Sequence, residues 1–476
     1  MMRFAPAVLA LALCLSSAAA EELPDTPAGQ RLGELMTLID NATPQTVADY
    51  IGAHYTEEYA GRLPLGGRID GYMNWKDRGG MNLVEVRRSE SNEIEAVMHQ
   101  PVSDERWLFS VTVESDEPHR IEAIRLGRAP LPVIDPPLSD RDAAEQFIDY
   151  TAGLADKGLF SGAVLIGRNG EILGEGAWGL ANRDFDAPNT VETRFNLGSI
   201  NKTWTAVAVA QLVEAGKLAF DDPVSKFIDY PNAEAAQKIR IEHLLTHTSG
   251  LGNYFTEEYA STARKDMRTV DDFLALSADQ DLAFEPGEGW QYSNTGMMLA
   301  GRIIELASGQ DYDSYVAEHI FTPAGMTRSG CFALDEVNDN LAVGYWEDWS
   351  VDGMTLRNNV FEHVVKGGPA GGCYSTVRDL FHFAEALKAG KLVGEEMAEA
   401  LTTGKPELNS EHYGYGFGIH PGRALYGHSG GFTGISANLD ITVDPEGWVI
   451  VVLANDDTMR APVIKSRQLV GIEVTD

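Results

Sequence analysis

Two serines in this chain have neighbours that suit them to attack a carbonyl carbon. Ser199 and Lys202 stand three residues apart in the stretch SINK, an S-x-x-K pattern. Ser429 lies in the stretch GHSGG at 427–431, which fits the G-x-S-x-G pattern of a nucleophile elbow. A serine hydroxyl is a weak nucleophile at neutral pH and needs an adjacent base. Both patterns therefore have to be weighed by their surroundings.

The surroundings of Ser429 do not favour an elbow. The α/β-hydrolase triad runs in the chain order Ser, Asp or Glu, then His, and no histidine follows His428. An elbow serine also leads into a helix, whereas FTGISANLDITV at 432–443 has the pattern of a turn and a strand. Triads do occur in other chain orders, so Ser429 stays a secondary candidate.

Ser199 has the better setting. The run 199–217 predicts an amphipathic helix that begins near Ser199. Positions three apart share a helix face, so Ser199 and Lys202 can meet. Free N–H groups at a helix start favour the serine anion, and a lysine in a dry site can lose its proton and act as a base. The alternative for a lone S-x-x-K is a helix-capping serine beside a solvent-facing lysine.

Two further polar patterns follow along the chain. Tyr292 and Asn294 place a phenol and an amide two residues apart, between Pro286-Gly287 and a predicted helix. His428 lies on a predicted strand that continues into Gly430 and Gly431. Glycines in a strand let a substrate lie close against its edge. Each pattern is common by itself, so their combination carries the interpretation.

In order and spacing, Ser199 to Lys202, Tyr292 to Asn294 and His428 to Gly430 resemble the three motifs of the serine β-lactamase and penicillin-binding superfamily. The resemblance is greatest to the branch that holds class C β-lactamases, D-alanyl-D-alanine carboxypeptidases, D-aminopeptidases and β-lactamase-like esterases. It covers residues 139–476 and includes the flanking stretches HLLTHTSGL at 243–251 and PAGGCYSTVRDLFHFA at 369–384.

The resemblance implies a role for each motif residue. Ser199 would become acylated, with Lys202 as its base or proton partner. Tyr292, its pKa lowered by nearby cations, would carry the proton to the leaving group. Asn294 would orient Lys202 and the substrate.

The third motif would form the opposite wall of the site. His428 would hydrogen-bond near Tyr292 or the substrate, with Gly430 lying beside it. The backbone N–H groups of Ser199 and Gly431 would hold the oxyanion. Class C β-lactamases have lysine where this chain has His428, and a histidine is mostly neutral above pH ~6.5. This difference favours peptides or esters over efficient β-lactam hydrolysis.

These residues have to be positioned by an α+β architecture. Residues 24–130 read as two helices followed by a meander of alternating strands, a small α+β domain whose element order resembles the cone-shaped, nuclear-transport-factor-like fold. The proline-rich segment 131–138 reads as a linker. Residues 139–476 predict a β-lactamase-like serine hydrolase domain, in which an antiparallel sheet from both ends of the domain is flanked by helices and interrupted by a helical insertion. Asn169-Gly170 predicts a tight hairpin turn near its start.

The ends and composition of the chain bear on location and partners. Residues 1–20 combine Arg3, an apolar run and an Ala-rich end, which predicts a cleavable signal peptide and a periplasmic or secreted protein; a retained membrane anchor is the alternative. The 71 acidic and 37 basic residues give a formal net charge of −34, which disfavours nucleic acid and anionic membranes as partners. Cys331 and Cys373 could pair after export or stay free.

No metal or cofactor is expected. His243 and His247 are four apart, but the glutamate of H-E-x-x-H is missing from HLLTH. Aromatic residues in loops are candidates either for lining a substrate pocket or for packing: Tyr254, Phe255, Tyr345, Trp346 and Trp349.

The sequence therefore predicts an exported serine hydrolase acting through an acyl-enzyme on D-amino-acid peptides, esters or related amides. The alternative is a catalytically idle, β-lactamase-like binding protein for cell-wall fragments. The expected partner is a small-molecule or peptide substrate, without a stable membrane anchor, and the oligomeric state is open.

Overall fold

The computed structural model describes residues 22–230, 232–277, 280–420, 422, 424–444 and 447–472. The predicted signal peptide lies outside these residues. Within the described part of the chain, no helix is both long enough and apolar enough to cross a membrane.

The first 130 residues hold four helices packed on one face of a four-stranded antiparallel meander, in the order β1-β2-β3-β4. Their bounds are α1 (Pro27–Asp40), α2 (Pro44–His54), α3 (Glu57–Gly61), α4 (Leu65–Asp77), β1 (Asn82–Ser89), β2 (Glu93–Gln100), β3 (Glu105–Val113) and β4 (Ile121–Arg128). Apolar residues of the helices and of alternate strand positions form a separate core. The strands follow the alternating patterns in the sequence. The likeness to a cone-shaped fold stays a prediction.

The segment 131–138 has no regular secondary structure. The N-terminal unit nevertheless contacts the rest of the chain. Lys465 Nζ lies 2.8 Å from Asp104 Oδ2, and the hydroxyl of Tyr150 donates to the backbone carbonyl of Ser103. Trp349 packs against the N-terminal core.

The larger unit contains the remaining described helices and strands. Its helices are α5 (Asp140–Ala155), α6 (Asn201–Glu214), α7 (Ala233–Lys238), α8 (Ile241–Leu245), α9 (Glu257–Ser261), α10 (Val270–Ala275), α11 (Asn294–Ser308), α12 (Tyr312–Val316), α13 (Thr322–Ala324), α14 (Val377–Lys388), α15 (Glu395–Leu401) and α16 (Arg460–Leu469). Its strands are β5 (Gly162–Arg168), β6 (Glu171–Trp178), β7 (Leu180–Asn182), β8 (Ala187–Pro188), β9 (Phe195–Asn196), β10 (Tyr345–Ser350), β11 (Gly353–Asn358), β12 (Tyr374–Ser375), β13 (Gly418–Ile419), β14 (Leu425–Phe432), β15 (Ile435–Thr442) and β16 (Trp448–Ala454).

The main sheet joins strands from both ends of this unit, as the sequence predicts. Its order is β13-β14-β15-β16-β5-β6, and its neighbouring strands are antiparallel. The β5–β6 hairpin turns at Asn169 and Gly170, whose φ angles are both positive, 52° and 76°, as a two-residue hairpin turn requires. The stretch from α6 to β13 is inserted between the two halves of the sheet.

One helix differs from its prediction. The run from Ser199 was expected to be amphipathic, but α6 begins at Asn201, and residues 201–210 are all buried. Helices α11, α12 and α15 pack around α6, and its small and apolar side chains tolerate contact on every face. A helix that is apolar all round belongs in a core. Lys202 is therefore carried into the protein interior.

Candidate active site

Ser199 and Lys202 meet as the S-x-x-K pattern predicts. Ser199 lies on a 3₁₀ turn, Gly198–Ile200, directly before α6. Lys202 Nζ lies 2.9 Å from Ser199 Oγ and donates to the backbone carbonyl of Ala370. Lys202 is fully buried, and burial holds its pKa well below the ordinary lysine value. A neutral amine in this position can accept the serine proton.

Tyr292 contacts both members of this pair. Its side chain is hydrogen-bonded to Ser199, and Lys202 Nζ lies 4.9 Å from the centre of its ring. The expected lowering of its pKa is wrong, because burial raises the pKa of Tyr292 and only the bond to Ser199 opposes that shift. Lys202 is itself driven to the neutral form, so the cation that would stabilise a phenolate is missing. In the free protein Tyr292 is a neutral phenol that can donate a proton.

Asn294 begins α11, where Ser293 caps the helix by accepting from the N–H of Gly296 at 2.9 Å. The Asn294 side-chain amide donates to Asn253 Oδ1 at 2.7 Å, and its backbone N–H donates to the same oxygen at 2.9 Å. Both of these donors of Asn294 are thus engaged by Asn253, and the expected role of Asn294 in orienting Lys202 stays a prediction. The sequence reasoning missed Asn253, which follows the HLLTHTSGL stretch without a motif of its own.

His428 is held in one tautomer by two partners. Its Nδ1 lies 2.5 Å from the Ser429 carbonyl, which can only accept, so Nδ1 carries the proton. Its Nε2, 2.8 Å from the Tyr413 hydroxyl, then accepts from that group. The pKa of His428 is lowered to about 3, chiefly by burial and further by Lys202 when that side chain is protonated. His428 is therefore neutral at physiological pH. Tyr413 belongs to no motif, and the sequence offered no signal for it.

Close contact between β14 and the serine turn depends on glycine. A Cβ on Gly430 would lie 1.9 Å from the carbonyl oxygen of Leu197 and 2.9 Å from Ser199 N, and a Cβ on Gly198 would lie 2.7 Å from Gly431 N. Since neither position has room for a side chain, the two backbones run side by side. The backbone nitrogens of Ser199 and Gly431 both lie at this contact. In the described residues, β14 is paired with β13 at Tyr426 and Gly427.

A cavity opens in front of Ser199. Its lining combines polar backbone at Gly198, Gly371, Gly372 and Gly431 with a largely aromatic wall formed by Tyr254, Phe255, Tyr259 and Phe432. Asn196, Asn294, His363, Val364 and Ala370 complete it. Of the loop aromatics proposed from sequence, Tyr254 and Phe255 line this cavity. Tyr345, Trp346 and Trp349 lie on β10 instead, outside the cavity lining.

Cys331 and Cys373 form a disulfide, which the sequence left open. Cys373 follows the cavity-lining residues Ala370 to Gly372, and its carbonyl accepts from Leu197 N at 2.9 Å. The bond to Cys331 thus anchors the segment that supplies the Ala370 carbonyl to Lys202.

His243 and His247 are arranged as structural histidines. The Nδ1 atom of His243 accepts from Arg240 N, and that of His247 accepts from Ser293 N, each at 3.2 Å. Burial lowers both pKa values, that of His243 to about 4. Among the residues that the structure describes, no group of three or more His, Cys, Asp or Glu side chains is placed to hold a metal ion.

This geometry agrees with comparisons to known proteins. The Beta-lactamase family profile matches residues 145–471. The chain is 33% identical over 294 residues to the putative penicillin-binding protein PbpX of Bacillus subtilis, covering 62% of this chain and 70% of that protein. It is 29% identical over 320 residues to esterase EstB of Burkholderia gladioli, covering 60% of this chain and 81% of that protein. The crystal structure of a penicillin-binding protein from Bacillus halodurans superimposes with a TM-score of 0.58 at 30% identity, covering 69% of this chain and 97% of that one.

The chain belongs to the β-lactamase family of serine hydrolases, within the serine β-lactamase and penicillin-binding superfamily.

Proposed function

We propose that this protein is an exported hydrolase that cleaves esters, D-amino-acid peptides or related amides through an acyl-enzyme on Ser199. The observation that carries the proposal is the placement of Ser199 Oγ 2.9 Å from Lys202 Nζ and in a hydrogen bond with the phenol of Tyr292. The nucleophile Ser199 thus lies next to a neutral base, Lys202, and a neutral acid, Tyr292.

The acylation step follows from these protonation states. Neutral Lys202 takes the proton of Ser199 as Oγ attacks the substrate carbonyl. The N–H groups of Ser199 and Gly431 hold the oxyanion, and one such donor is typically worth about 3 kcal/mol. Tyr292 gives its proton to the departing oxygen or nitrogen and recovers one from protonated Lys202. Water then releases the acyl group by the reverse sequence of proton transfers.

Substrate preference is argued from the third motif. His428 is neutral, whereas the lysine of class C β-lactamases is a cation suited to the carboxylate of a β-lactam. We therefore infer that β-lactams are weak substrates. Asn294 and the edge of β14 at Gly430 and Gly431 are the inferred substrate-binding elements.

Export is argued from two features. The pattern of residues 1–20 is typical of a signal peptide with cleavage after Ala20. The Cys331–Cys373 disulfide fits an oxidising compartment. N-terminal sequencing of protein recovered outside the cytoplasm tests this; a retained N-terminus would contradict it.

The test of the enzyme is the intact mass, with peptide mapping, after exposure to a fluorophosphonate and separately to a penicillin. We expect a fluorophosphonate adduct on Ser199, no adduct in Ser199→Ala, and loss of ester turnover in that variant. Turnover that is equal in Ser199→Ala and wild type would refute the proposal. No adduct at Ser199 together with no turnover would favour the idle binding protein.

A further inference from the structure

The cavity in front of Ser199 has an aromatic wall whose rings pack against one another. The rings of Phe255 and Phe432 are stacked at 6.2 Å, and the edge of Phe255 meets Tyr259 at 4.9 Å. Tyr254 lies 4.7 Å from Phe255. Phe255 is nevertheless 47% exposed, so a substrate can still cover a large part of its surface.

The same cavity presents no charged side chain. Within the described part of the chain, its lining includes no Lys, Arg, Asp or Glu. Its histidine, His363, donates from Nδ1 to the Val364 carbonyl at 2.7 Å and lies 2.9 Å from Asn196 Nδ2 through Nε2. Because the amide nitrogen of Asn196 can only donate, Nε2 is the acceptor. Burial lowers the pKa of His363, which keeps its ring neutral.

The guanidinium of Arg264 lies next to the aromatic wall, but its N–H groups are hydrogen-bonded to backbone carbonyls. Arg264 stacks over Tyr259 with its central carbon 4.0 Å from the ring centre. Its N–H groups donate to the backbone carbonyls of Tyr259, Thr262 and Glu362. Arg264 thereby ties the Tyr259 loop to the segment that carries His363. It holds the wall in place rather than offering a charge to the cavity.

From these observations we infer that this cavity binds an uncharged, apolar group of the substrate, such as an alkyl or aryl chain next to the reacting carbonyl. The inference rests on the proposed function and names its substrate class. An apolar chain gains from covering the exposed aromatic surface, by about fourfold in binding for each methylene. A carboxylate in the same place would lose its water without gaining a cationic partner, and burying an unpaired charge is costly.

The first experiment compares two p-nitrophenyl esters of equal chain length, the hexanoate and the monoester of adipate, whose far end is a carboxylate. We expect kcat/KM to be at least about tenfold higher for the hexanoate. The net charge of −34 also repels an anionic substrate at a distance, so the comparison is repeated in about 1 M salt, where screening confines such repulsion to a few ångströms. A preference that persists in salt supports the inference; equal rates, or a preference that salt abolishes, overturn it.

The second experiment tests whether the alkyl chain of the substrate binds in this cavity. Phe432→Ala is expected to lower kcat/KM for the hexanoate about tenfold more than kcat/KM for the acetate. Phe185→Ala is the matched control, because Phe185 is 82% exposed and lies outside the cavity lining. The isomers ethyl hexanoate and hexyl acetate show whether the group sits on the acyl or the alcohol side. A Phe432→Ala enzyme with an undiminished preference for hexanoate over acetate contradicts the inference.

These outcomes are distinct from failure of the proposed function. Labelling of Ser199 by a fluorophosphonate is measured in every variant. Labelled enzyme without apolar preference refutes the inference about the cavity alone, whereas absence of both labelling and ester turnover refutes the proposed function.

Discussion

Adding a single methyl group at Gly430 should strongly impair catalysis. In Gly430→Ala the new Cβ would lie 1.9 Å from the carbonyl oxygen of Leu197, 2.8 Å from its carbonyl carbon and 2.9 Å from Ser199 N. All three atoms are backbone, so no side chain can rotate away. Since non-bonded carbon atoms settle about 3.5 Å or more from their neighbours, β14 and the serine turn must separate by roughly 1 Å.

A separation of that size would pull the N–H of Gly431 away from that of Ser199. A misplacement of about 1 Å can cost 10²-fold in rate, and loss of one oxyanion donor costs about 10²–10³ in kcat. We therefore expect kcat of Gly430→Ala to fall by about 10²-fold or more. The assay is steady-state hydrolysis of p-nitrophenyl butyrate, with near-ultraviolet circular dichroism to establish that the fold is retained.

The matched control is Gly418→Ala on the neighbouring strand β13. Among the described residues, the atom that a Cβ on Gly418 would meet is the carbonyl oxygen of Gly427, at 3.6 Å, which is an ordinary contact. Its kcat should stay near the wild-type value. A folded Gly430→Ala enzyme with wild-type kcat would refute the account of the oxyanion site as a close backbone contact.

Three further perturbations have defined outcomes. Because burial holds the pKa of Lys202 well below its unfolded value, the unfolded chain binds more protons at neutral pH, so this group reduces stability there and the loss shrinks as pH rises. Lys202→Met should therefore abolish turnover and raise Tm at pH 7; a lower Tm would contradict the assigned protonation state. Tyr413→Phe removes the hydrogen bond to His428 Nε2, worth about 1 kcal/mol, and should lower kcat/KM about fivefold and raise the pKa of His428 as followed by NMR; unchanged values would show that Tyr413 only packs. Cys331→Ser opens a disulfide between residues 42 apart and should cost about 4 kcal/mol in the free energy of unfolding, measured by urea denaturation; equal stability of oxidised and reduced wild type would argue against it.

The parts of this protein that short-range patterns encode could be predicted. Strands of the N-terminal meander alternate along the sequence, whereas β5 and β16 of the main sheet are short apolar runs. The pair Asn169-Gly170 predicts the hairpin turn between β5 and β6. The contact between Ser199 and Lys202 needs only one helical turn, so spacing alone predicts it. The family resemblance adds which three motifs come together across the fold.

What depends on distant packing could not be predicted. The burial of α6 comes from three other helices, and with it the neutral state of Lys202. The expected low pKa of Tyr292 failed for the same reason, since it assumed a charged neighbour. The partners Tyr413 for His428 and Asn253 for Asn294 come from loops without a motif, and pairing of Cys331 with Cys373 requires the fold itself.

The ionisable groups around Ser199 share one property, which is that burial favours the neutral form of each. Lys202, His428 and His363 have lowered pKa values, and Tyr292 has a raised one. The site therefore holds little charge until a proton moves from Ser199 to Lys202. At that moment an oxyanion forms beside N–H groups that are already in place, where such dipoles act most strongly. A substrate carboxylate would bring an unpaired charge into this site before the reaction begins. We therefore expect the same burial that prepares the nucleophile to select against β-lactams and other anionic acyl donors.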